Sequence, residues 1–183
     1  MTDRISKEHR SWNMSRIRSK DTKPELLLRS MLFAEGYRFR LDGKVSKRIY
    51  KKGVLPGKPD IVLAKYRTVI FVHGCFWHRH ENCSKASTPK SNTEFWVAKF
   101  AKNVRRDREN IRELRKLGWK VIVVWECELL KNPEQVLAET AEKLICSADN
   151  KNINRHLNYS PENTAEAYMA AESSEEYKTL IEK

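Results

Sequence analysis

The sequence predicts an α/β domain in which a mixed sheet is flanked by helices. The predicted elements alternate in the order helix, strands, helix, strand and helix, which is typical of a layered α/β structure. The longest apolar runs, Val69–Val72 and Val121–Trp125, have the length of strands and are too short to span a membrane. Because 183 residues leave room for one core, we expect a single domain over residues 21–146, an N-terminal arm over 1–20 and a peripheral or mobile tail over 147–183.

The first helix has signals at both of its ends. Asp21 or Thr22 can cap its N-terminus, and Pro24 and Glu25 are favoured in a first turn. Gly36 ends the helix, since glycine readily adopts the left-handed conformation found after many helices. The predicted apolar face consists of Leu27, Leu28, Met31 and Leu32.

Short strands follow the first helix. Tyr37–Leu41 is predicted to form a short strand, and residues 42–57 are polar and rich in turn-forming residues. Ile61–Leu63 and Val69–Val72 are β-branched and apolar, and a turn-like stretch separates them. We expect these two strands to pair with each other.

The second half of the chain continues the alternation. Residues 73–92 are predicted to form a loop, after which Thr93 opens a long helix that Gly118 ends. Trp119–Trp125 is predicted to be a buried strand, and a last helix runs from Asn132 to about Cys146. The apolar stripe of the long helix is predicted to contain Phe95, Trp96, Phe100, Val104, Ile111, Leu114 and Leu117.

The charge is concentrated in the part that precedes the last helix. Residues 1–134 contain 31 Lys and Arg against 15 Asp and Glu, whereas residues 135–183 contain 5 against 9. A basic domain of this size attracts a polyanion, and nucleic acid is the commonest one; a solvated basic surface is the alternative. The five basic residues between Lys44 and Lys52 accordingly form either a DNA-facing finger or a solvated excursion.

Cysteine and histidine residues cluster in the predicted loop after residue 73. Cys75, His80 and Cys83 are candidate ligands of a tetrahedral zinc ion, and Cys127 is the candidate fourth ligand. The spacing is not that of a standard zinc finger, so buried thiols and surface histidines stay the alternative. Cys146 is interpreted as a small packed hydrophobic residue. The polar first ten residues contain no secretory signal, so we expect reduced thiols and a cytoplasmic protein.

A second candidate site begins at the end of the segment Pro56–Asp60. Asp60 stands at the mouth of a strand, which is how magnesium is held against a phosphate, although a turn or cap is the commoner role of such a residue. Candidate neighbours with acid–base or metal-binding side chains are Glu25, His73, His78 and Asp107.

Each of these neighbours also has a structural interpretation. A carboxylate can fix the tautomer of a histidine that takes a proton from water, but Asp107 could equally be an ion-pair partner and Glu25 a helix-end charge. At 3.6 residues per turn, Asp107 falls on the apolar stripe of the long helix, facing the sheet instead of the arginines.

Aromatic residues lie beside the candidate metal ligands. Phe76 and Trp77 could be apolar wedges that enter a DNA duplex, or they could pack the loop onto the domain. Trp96 lies on the apolar stripe of its helix, so both a core role and a DNA-facing role are open.

At these residues the sequence resembles the very short patch repair (Vsr) endonucleases of bacteria. The string His73–His78, which reads His-Gly-Cys-Phe-Trp-His, is highly specific for that family. The similarity is collinear over about residues 8 to 146. The matching segments are Arg10–Met14, Leu55–Asp60, Val69–His78, Thr93–Trp96, Lys102–Arg108 and Leu117–Cys127.

The resemblance implies a restriction-endonuclease-like fold over residues 21–146. It implies an enzyme that nicks one DNA strand 5′ of the thymine in a T:G mismatch, the lesion left by deamination of 5-methylcytosine. Asp60 matches the family's magnesium-binding aspartate. Related nuclease folds place Glu and Lys on the second strand, where this chain has Val72 and His73, so position 72 can offer the metal only its main-chain carbonyl.

The resemblance also implies roles for the remaining candidates. His78 matches the catalytic histidine and Asp107 its supporting carboxylate, while His73 and Glu25 fall at further active-site positions. The structural zinc ligands would be Cys75, His80, Cys83 and Cys127. The residues assigned to DNA binding are the duplex-wedging aromatics Phe76, Trp77 and Trp96, the arm residue Met14, and Asn103.

Two other functions compete with this reading. One is a zinc-stabilised DNA-binding module without turnover, which the absent second-strand Glu and Lys would suit. The other is a nicking endonuclease of a restriction or defence system that acts on fully paired DNA. We expect a monomer associated with the nucleoid, with mismatched double-stranded DNA as its partner and mismatch-repair proteins or a cytosine methyltransferase system as further partners.

Overall fold

Helix α1 spans Lys23–Ala34 and begins where the sequence predicts, with Thr22 as its N-cap and Pro24 in its first turn. The Glu25 carboxylate accepts hydrogen bonds from the Asp21 backbone N–H at 2.9 Å and from the Thr22 hydroxyl at 2.8 Å. These bonds attach the two residues that precede the helix to its first turn. The chain turns back after the helix at Gly36, whose φ of 80° favours glycine.

The structure, a computed structural model, describes residues 20–145 and, before them, residues 6, 9, 12, 15, 16 and 18. Met14, Cys146 and the tail over 147–183 lie outside the described residues. The division of the chain into arm, domain and tail therefore stays a prediction. Within the described residues, no helix combines the length and the apolar character needed to cross a membrane.

A four-stranded mixed sheet lies at the centre of the domain. Its strands are β1 (Arg40–Leu41), β2 (Ile61–Leu63), β3 (Thr68–His73) and β4 (Lys120–Trp125), in that spatial order. The first three strands pair antiparallel, whereas β3 and β4 pair parallel, with Val72 opposite Val124 and His73 opposite Trp125. The mixed sheet flanked by helices confirms the predicted α/β class.

Helices cover both faces of the sheet. After α1, the helices are α2 Cys75–His78, α3 Thr93–Lys116, α4 Glu126–Lys131 and α5 Pro133–Ile145. Because side chains alternate along a strand, Ile61 and Ile70 join a core with α1, α4 and α5, while Val62 and Val69 join a second core with α3. Short 3₁₀ turns occupy Ala64–Tyr66 and Ser84–Ala86.

Three details differ from the sequence prediction. The stretch after residue 73 was expected to be loop throughout, but it contains α2, and α4 was not predicted at all. Helices of four and six residues are too short for an apolar period to reveal them. Phe95 was placed on the apolar stripe of α3, yet it is 61% exposed because the first turn of this helix extends past the core.

Residues 44–54 form a hairpin, which we call the basic hairpin, where the sequence predicted a turn-rich loop that is either a DNA-facing finger or a solvated excursion. An isolated antiparallel bridge joins Lys44 and Val54. The Val45 N–H donates to the Gly53 carbonyl at 3.0 Å, and the Leu55 N–H donates to the Gly43 carbonyl at 2.9 Å. Val45 and Leu55 are buried in the second core, so this segment is attached to the domain at both of its ends.

Candidate active site and metal centre

The carboxylate of Asp60 lies where strands β2 and β3 meet. Asp60 immediately precedes β2, and its Oδ2 accepts a 2.8 Å hydrogen bond from the Val72 backbone N–H near the end of β3. Antiparallel pairing of the two strands brings these residues, twelve positions apart, into contact. The arrangement fixes one carboxylate oxygen of Asp60 beside the main chain of Val72.

Asp60 is costly to ionise in this position. Burial raises the pKa of its carboxyl to about 6, and the nearby Glu25 carboxylate also raises it. The Val72 N–H and the charges of Arg29 and His78 act in the opposite direction but do not outweigh burial. A carboxylate desolvated in this way gains most from a cation bound next to it.

His78 and Asp107 form a hydrogen-bonded pair across two helices. Nδ1 of His78, the last residue of α2, lies 2.6 Å from Oδ2 of Asp107 on α3. Burial would raise the pKa of Asp107, but its hydrogen bond to His78 and the nearby His73 and Arg106 together lower it. An ionised Asp107 therefore accepts the Nδ1–H of His78, which leaves Nε2 as the proton acceptor of that ring.

His73 lies beside this pair. Its ring stacks on that of His78 with 3.8 Å between centroids and 10° between planes. Burial, reinforced by the proximity of His78, lowers the pKa of His73 to about 3. His73 is thus a neutral imidazole at physiological pH, so it does not repel a positive charge on the adjacent His78 ring.

Glu25 is buried, and Arg29 neutralises it. Arg29 Nη2 donates to Glu25 Oε2 at 2.9 Å, and the same guanidinium contacts Asp21 at 2.5 Å. Glu25 thus combines contacts at the start of α1, as its helix-end interpretation requires, with a place in the wall of the same cleft as Asp60 and His73.

All five candidate catalytic side chains line one open cleft of about 1380 Å³. Six basic side chains also line this cleft, together with the carboxylates of Asp42 and Glu126, and the basic side chains can receive a phosphate backbone. The residues with catalytic chemistry are Glu25, Asp60, His73, His78 and Asp107, and the basic residues around them are Arg18, Lys20, Lys44, Lys58, Lys99 and Arg106.

The second candidate site brings together Cys75, His80, Cys83 and Cys127, whose ligand atoms all lie within 4.8 Å of one another. His80 Nδ1 lies 3.6 Å from the Cys75 sulfur and 3.2 Å from the Cys127 sulfur. Ligand atoms of a tetrahedral zinc, with bonds of about 2.0 to 2.3 Å, stand roughly 3.5 to 3.8 Å apart. The donor set and its spacing therefore fit such a metal.

The surroundings of His80 also suit a metal ligand. Its ring stacks on Trp125 at 4.1 Å between centroids, and its Nε2 lies 3.6 Å from the Glu128 carboxylate. Metal-binding histidines commonly present their second nitrogen to a carboxylate, which fixes the tautomer and orients the ring. Glu128 was not predicted from the sequence, where its position next to Cys127 was the one available signal.

The aromatic residues form a cluster between α2 and α3. The ring of Phe76 contacts those of Trp77, Trp96 and Phe100 at centroid distances of 5.0, 5.4 and 5.1 Å. Phe76, Trp77 and Trp96 each keep part of their surface exposed. Packing and DNA contact are therefore compatible for all three residues, although Trp96 has the most ring partners of the three.

Asn103 holds this cluster through a hydrogen bond to its main chain. It is buried, and its side-chain Nδ2 donates to the Trp77 carbonyl at 3.2 Å. The bond positions the third residue of α2, next to His78. The structure thus gives Asn103 a positioning contact, and it also places this residue in the wall of the cleft.

Comparison with known proteins identifies relatives over most of the chain. Residues 2–85 match the family model described as DNA mismatch endonuclease Vsr. A type II nicking enzyme of Neisseria meningitidis, V.NmeAIP, is 54% identical over 145 residues, covering 79% of this chain and 95% of the relative. The DNA mismatch endonuclease Vsr of Escherichia coli is 44% identical over 149 residues, covering 80% and 89%. The nicking enzyme V.XorIIP of Xanthomonas oryzae is 47% identical, covering 70% and 88%.

Proposed function

This chain belongs to the Vsr family of DNA mismatch endonucleases and is a DNA-nicking endonuclease, and on that premise we propose that it nicks one strand 5′ of the thymine in a T:G mismatch. Such a nick would begin the repair of deaminated 5-methylcytosine. A chain that acts on bacterial DNA would work in the cytoplasm, at the nucleoid. The restriction-endonuclease-like arrangement of the mixed sheet is part of the same proposal.

One observation carries the proposal: Asp60 and the His78–Asp107 pair line the same cleft, which six lysine and arginine side chains also line. A phosphodiester hydrolase needs a base for the water, positive charge around the phosphate and stabilisation of the leaving oxygen. The cleft supplies the base in His78 and positive charge in the lysines and arginines of its wall.

Proton transfer follows from the hydrogen bond between the two residues. Asp107 holds the Nδ1–H of His78, so Nε2 takes a proton from the attacking water. The water oxygen bonds to phosphorus as the bond from phosphorus to the 3′ oxygen breaks. The products are a 5′ phosphate and, once its oxygen is protonated, a 3′ hydroxyl. The imidazolium formed on His78 is stabilised by Asp107, and the neutral His73 stacked on it adds no opposing charge.

Magnesium is the cofactor that the oxygen donors at Asp60 fit. The partly buried carboxyl, with one oxygen hydrogen-bonded to Val72 N–H, matches the preference of hard cations for carboxylate and carbonyl oxygen. Asp60 and the carbonyl oxygen of Val72 would hold the ion. When bound, magnesium supplies positive charge for the scissile phosphate and the leaving 3′ oxygen. Glu25 would orient the surrounding hydration shell.

Zinc is the ion that the thiolate-rich centre fits. Three sulfur donors and one imidazole are the soft to borderline ligands that zinc prefers, and four protein ligands leave no position for a reacting water. We therefore assign Cys75, His80, Cys83 and Cys127 to a structural zinc that joins the α2 segment to α4.

Selectivity for the mismatch would come from aromatic insertion. Trp77, Trp96 and Phe76 would enter the duplex beside the T:G pair, and Met14 of the arm would enter from the other groove. A mispair costs less to unstack than a Watson–Crick pair, by about a few kcal/mol, so the distorted complex forms preferentially at the mismatch.

The test is a nicking assay with end-labelled duplexes that differ only in one T:G or T:A pair. With magnesium, nicking is expected 5′ of the mispaired thymine and not in the T:A duplex. Binding without nicking of any duplex would support instead the DNA-binding module without turnover, and would remove His78 from its catalytic role.

A second candidate is nicking of fully paired DNA within a restriction or defence system. It is favoured by the name of the 54% identical relative, a type II nicking enzyme. Equal nicking of the T:G and T:A duplexes would establish this alternative. A cytosine methyltransferase system and mismatch-repair proteins are the partners that we propose for the repair function.

A further inference from the structure

The basic hairpin carries positive charge that the proposed reaction does not use. Residues 43–59 contain no Asp or Glu, whereas Lys44, Lys47, Arg48, Lys51 and Lys52 are all exposed. In the part of the chain that the structure describes, no ion pair joins any of these five to a carboxylate. A surface kept only for solubility usually mixes both signs of charge, so this single-sign segment indicates an anionic partner.

The hairpin is also preordered. Besides its two strand-like bonds, the Tyr50 N–H donates to the Ser46 carbonyl at 3.1 Å and the Gly53 N–H donates to the Tyr50 carbonyl at 2.8 Å. The Tyr50 side chain packs against the second core. Cations held on an ordered backbone lose less conformational entropy on binding than cations on a flexible loop.

The base of the hairpin is part of the cleft. Lys44 and Val54 line it, as does Lys58 in the following turn. The Gly43 N–H donates to the Pro59 carbonyl at 2.7 Å, and a Cβ at Gly43 would lie 2.9 Å from the Lys58 Cα. The hairpin is therefore held against the turn that leads directly into Asp60, and its charge is continuous with that of the cleft.

We infer that the basic hairpin binds backbone phosphates of duplex DNA outside the step that is nicked, extending the footprint beyond the cleft. The inference rests on the proposed function for its partner, since duplex DNA in the cleft would continue past Lys44 and Lys58. The hairpin supplies affinity that does not depend on sequence, because it offers lysine and arginine charges to phosphates.

The test compares two variants with equal loss of charge. The hairpin variant is Lys47→Gln, Arg48→Gln, Lys51→Gln and Lys52→Gln. The control variant is Lys65→Gln, Arg115→Gln, Lys116→Gln and Lys131→Gln, four exposed residues that do not line the cleft. Affinity for a fully paired fluorescent duplex is measured by anisotropy from 50 to 200 mM salt.

Affinity falls with salt, and each lost phosphate contact reduces the steepness of log affinity against log salt by about 0.9. We expect this steepness to fall by about two or more in the hairpin variant and by less than about one in the control variant. The hairpin variant should also bind at least about tenfold more weakly at low salt. Equal slopes for the hairpin variant and the wild type would overturn the inference, and would leave an acidic protein as the partner to test.

Further measurements on the same proteins separate this outcome from a folding defect and from failure of the proposed function. Thermal unfolding of both variants checks that the fold is intact, and the paired variants Lys47→Gln with Arg48→Gln and Lys51→Gln with Lys52→Gln should each lose part of the slope. If the wild type nicks T:G duplexes but the slopes are equal, the inference alone fails. If the hairpin variant loses slope but no duplex is nicked, the proposed function fails and the inference stands.

Discussion

Nδ1 of His78 lies 2.6 Å from Oδ2 of Asp107, so that a four-residue helix and a long helix are joined across 29 positions of sequence. Neither residue could perform its proposed role alone, because the imidazole needs the carboxylate to select the tautomer whose Nε2 accepts a proton.

Asp107→Asn should therefore abolish most of the nicking while leaving DNA binding intact. An asparagine amide can donate to Nδ1, which would place the ring proton on Nε2 and remove the base. We expect single-turnover nicking to fall by about 10²- to 10⁴-fold. Glu109→Gln, an exposed carboxylate on the same helix, is the matched control and should retain full activity. Full activity in Asp107→Asn would rule out the proposed dyad.

Asp60→Asn should stabilise the protein at pH 8 when no divalent cation is present. The pKa of Asp60 is raised to about 6, so its ionised form costs the folded state up to about 3 kcal/mol that the amide does not. The gain is complete above pH 6 and disappears as the pH falls towards 3.8, because the folded wild type then takes up the proton itself. Urea unfolding at pH 8, 5 and 4 measures the difference.

The same variant separates the two roles of Asp60. Magnesium should stabilise the wild type and not Asp60→Asn, and mismatch binding should persist while nicking is lost. A variant that is less stable than the wild type at pH 8 would show that the carboxylate is held by stronger partners than Val72 N–H and Arg29.

Cys127→Ser should release the proposed zinc and loosen the segment that follows β3. Purified wild type should contain about one zinc per chain by elemental analysis, and the variant much less. The loss of a structural metal should lower the free energy of unfolding by more than about 3 kcal/mol. Cys146→Ser is the control, since the sequence predicts no ligand role for that residue. Equal zinc in Cys127→Ser and the wild type would exclude Cys127 as a ligand.

Glu128→Gln should weaken zinc binding without removing a ligand. The carboxylate lies 3.6 Å from Nε2 of His80 and orients the ring. We expect zinc affinity to fall about tenfold, at the lower end of the usual effect of such residues, because the Glu128 side chain is half exposed. Competition with a chromogenic chelator measures the change, and the exposed Glu134→Gln on α5 provides the comparison.

The sequence predicted the parts of the structure that depend on the spacing of apolar residues and on the residues that cap helices. Helix α3 begins at Thr93 as expected, because its stripe spans six turns. Asp107, which was predicted to face the sheet instead of the arginines, contacts His78 but also lies 3.4 Å from Arg106 Nη2, as its ion-pair interpretation requires. The strands around Asp60 paired as predicted, since β-branched runs bounded by a turn favour an antiparallel pair.

Other features depend on tertiary contacts that no local pattern contains. Helix α2 is one turn long and is held by the aromatic cluster, so the sequence around it reads as a loop. The Glu25–Arg29 ion pair is local, since the two residues are one turn apart on α1, but the burial of this pair and the approach of Glu128 to His80 follow from how the elements pack. The basic hairpin was predicted only as a polar, turn-rich loop, because its one bridge leaves little alternation of apolar and polar residues in the sequence.

The passage from β3 into α2 bears on how this enzyme can evolve. Eight of the twelve positions from 72 to 83 have a proposed role towards a metal, a proton or the DNA duplex. With those roles, a substitution there would damage several properties at once, so natural variation in target choice would have few routes through this segment. A change of charge in the basic hairpin would alter only the proposed contacts with backbone phosphates, so diversification would be easier there.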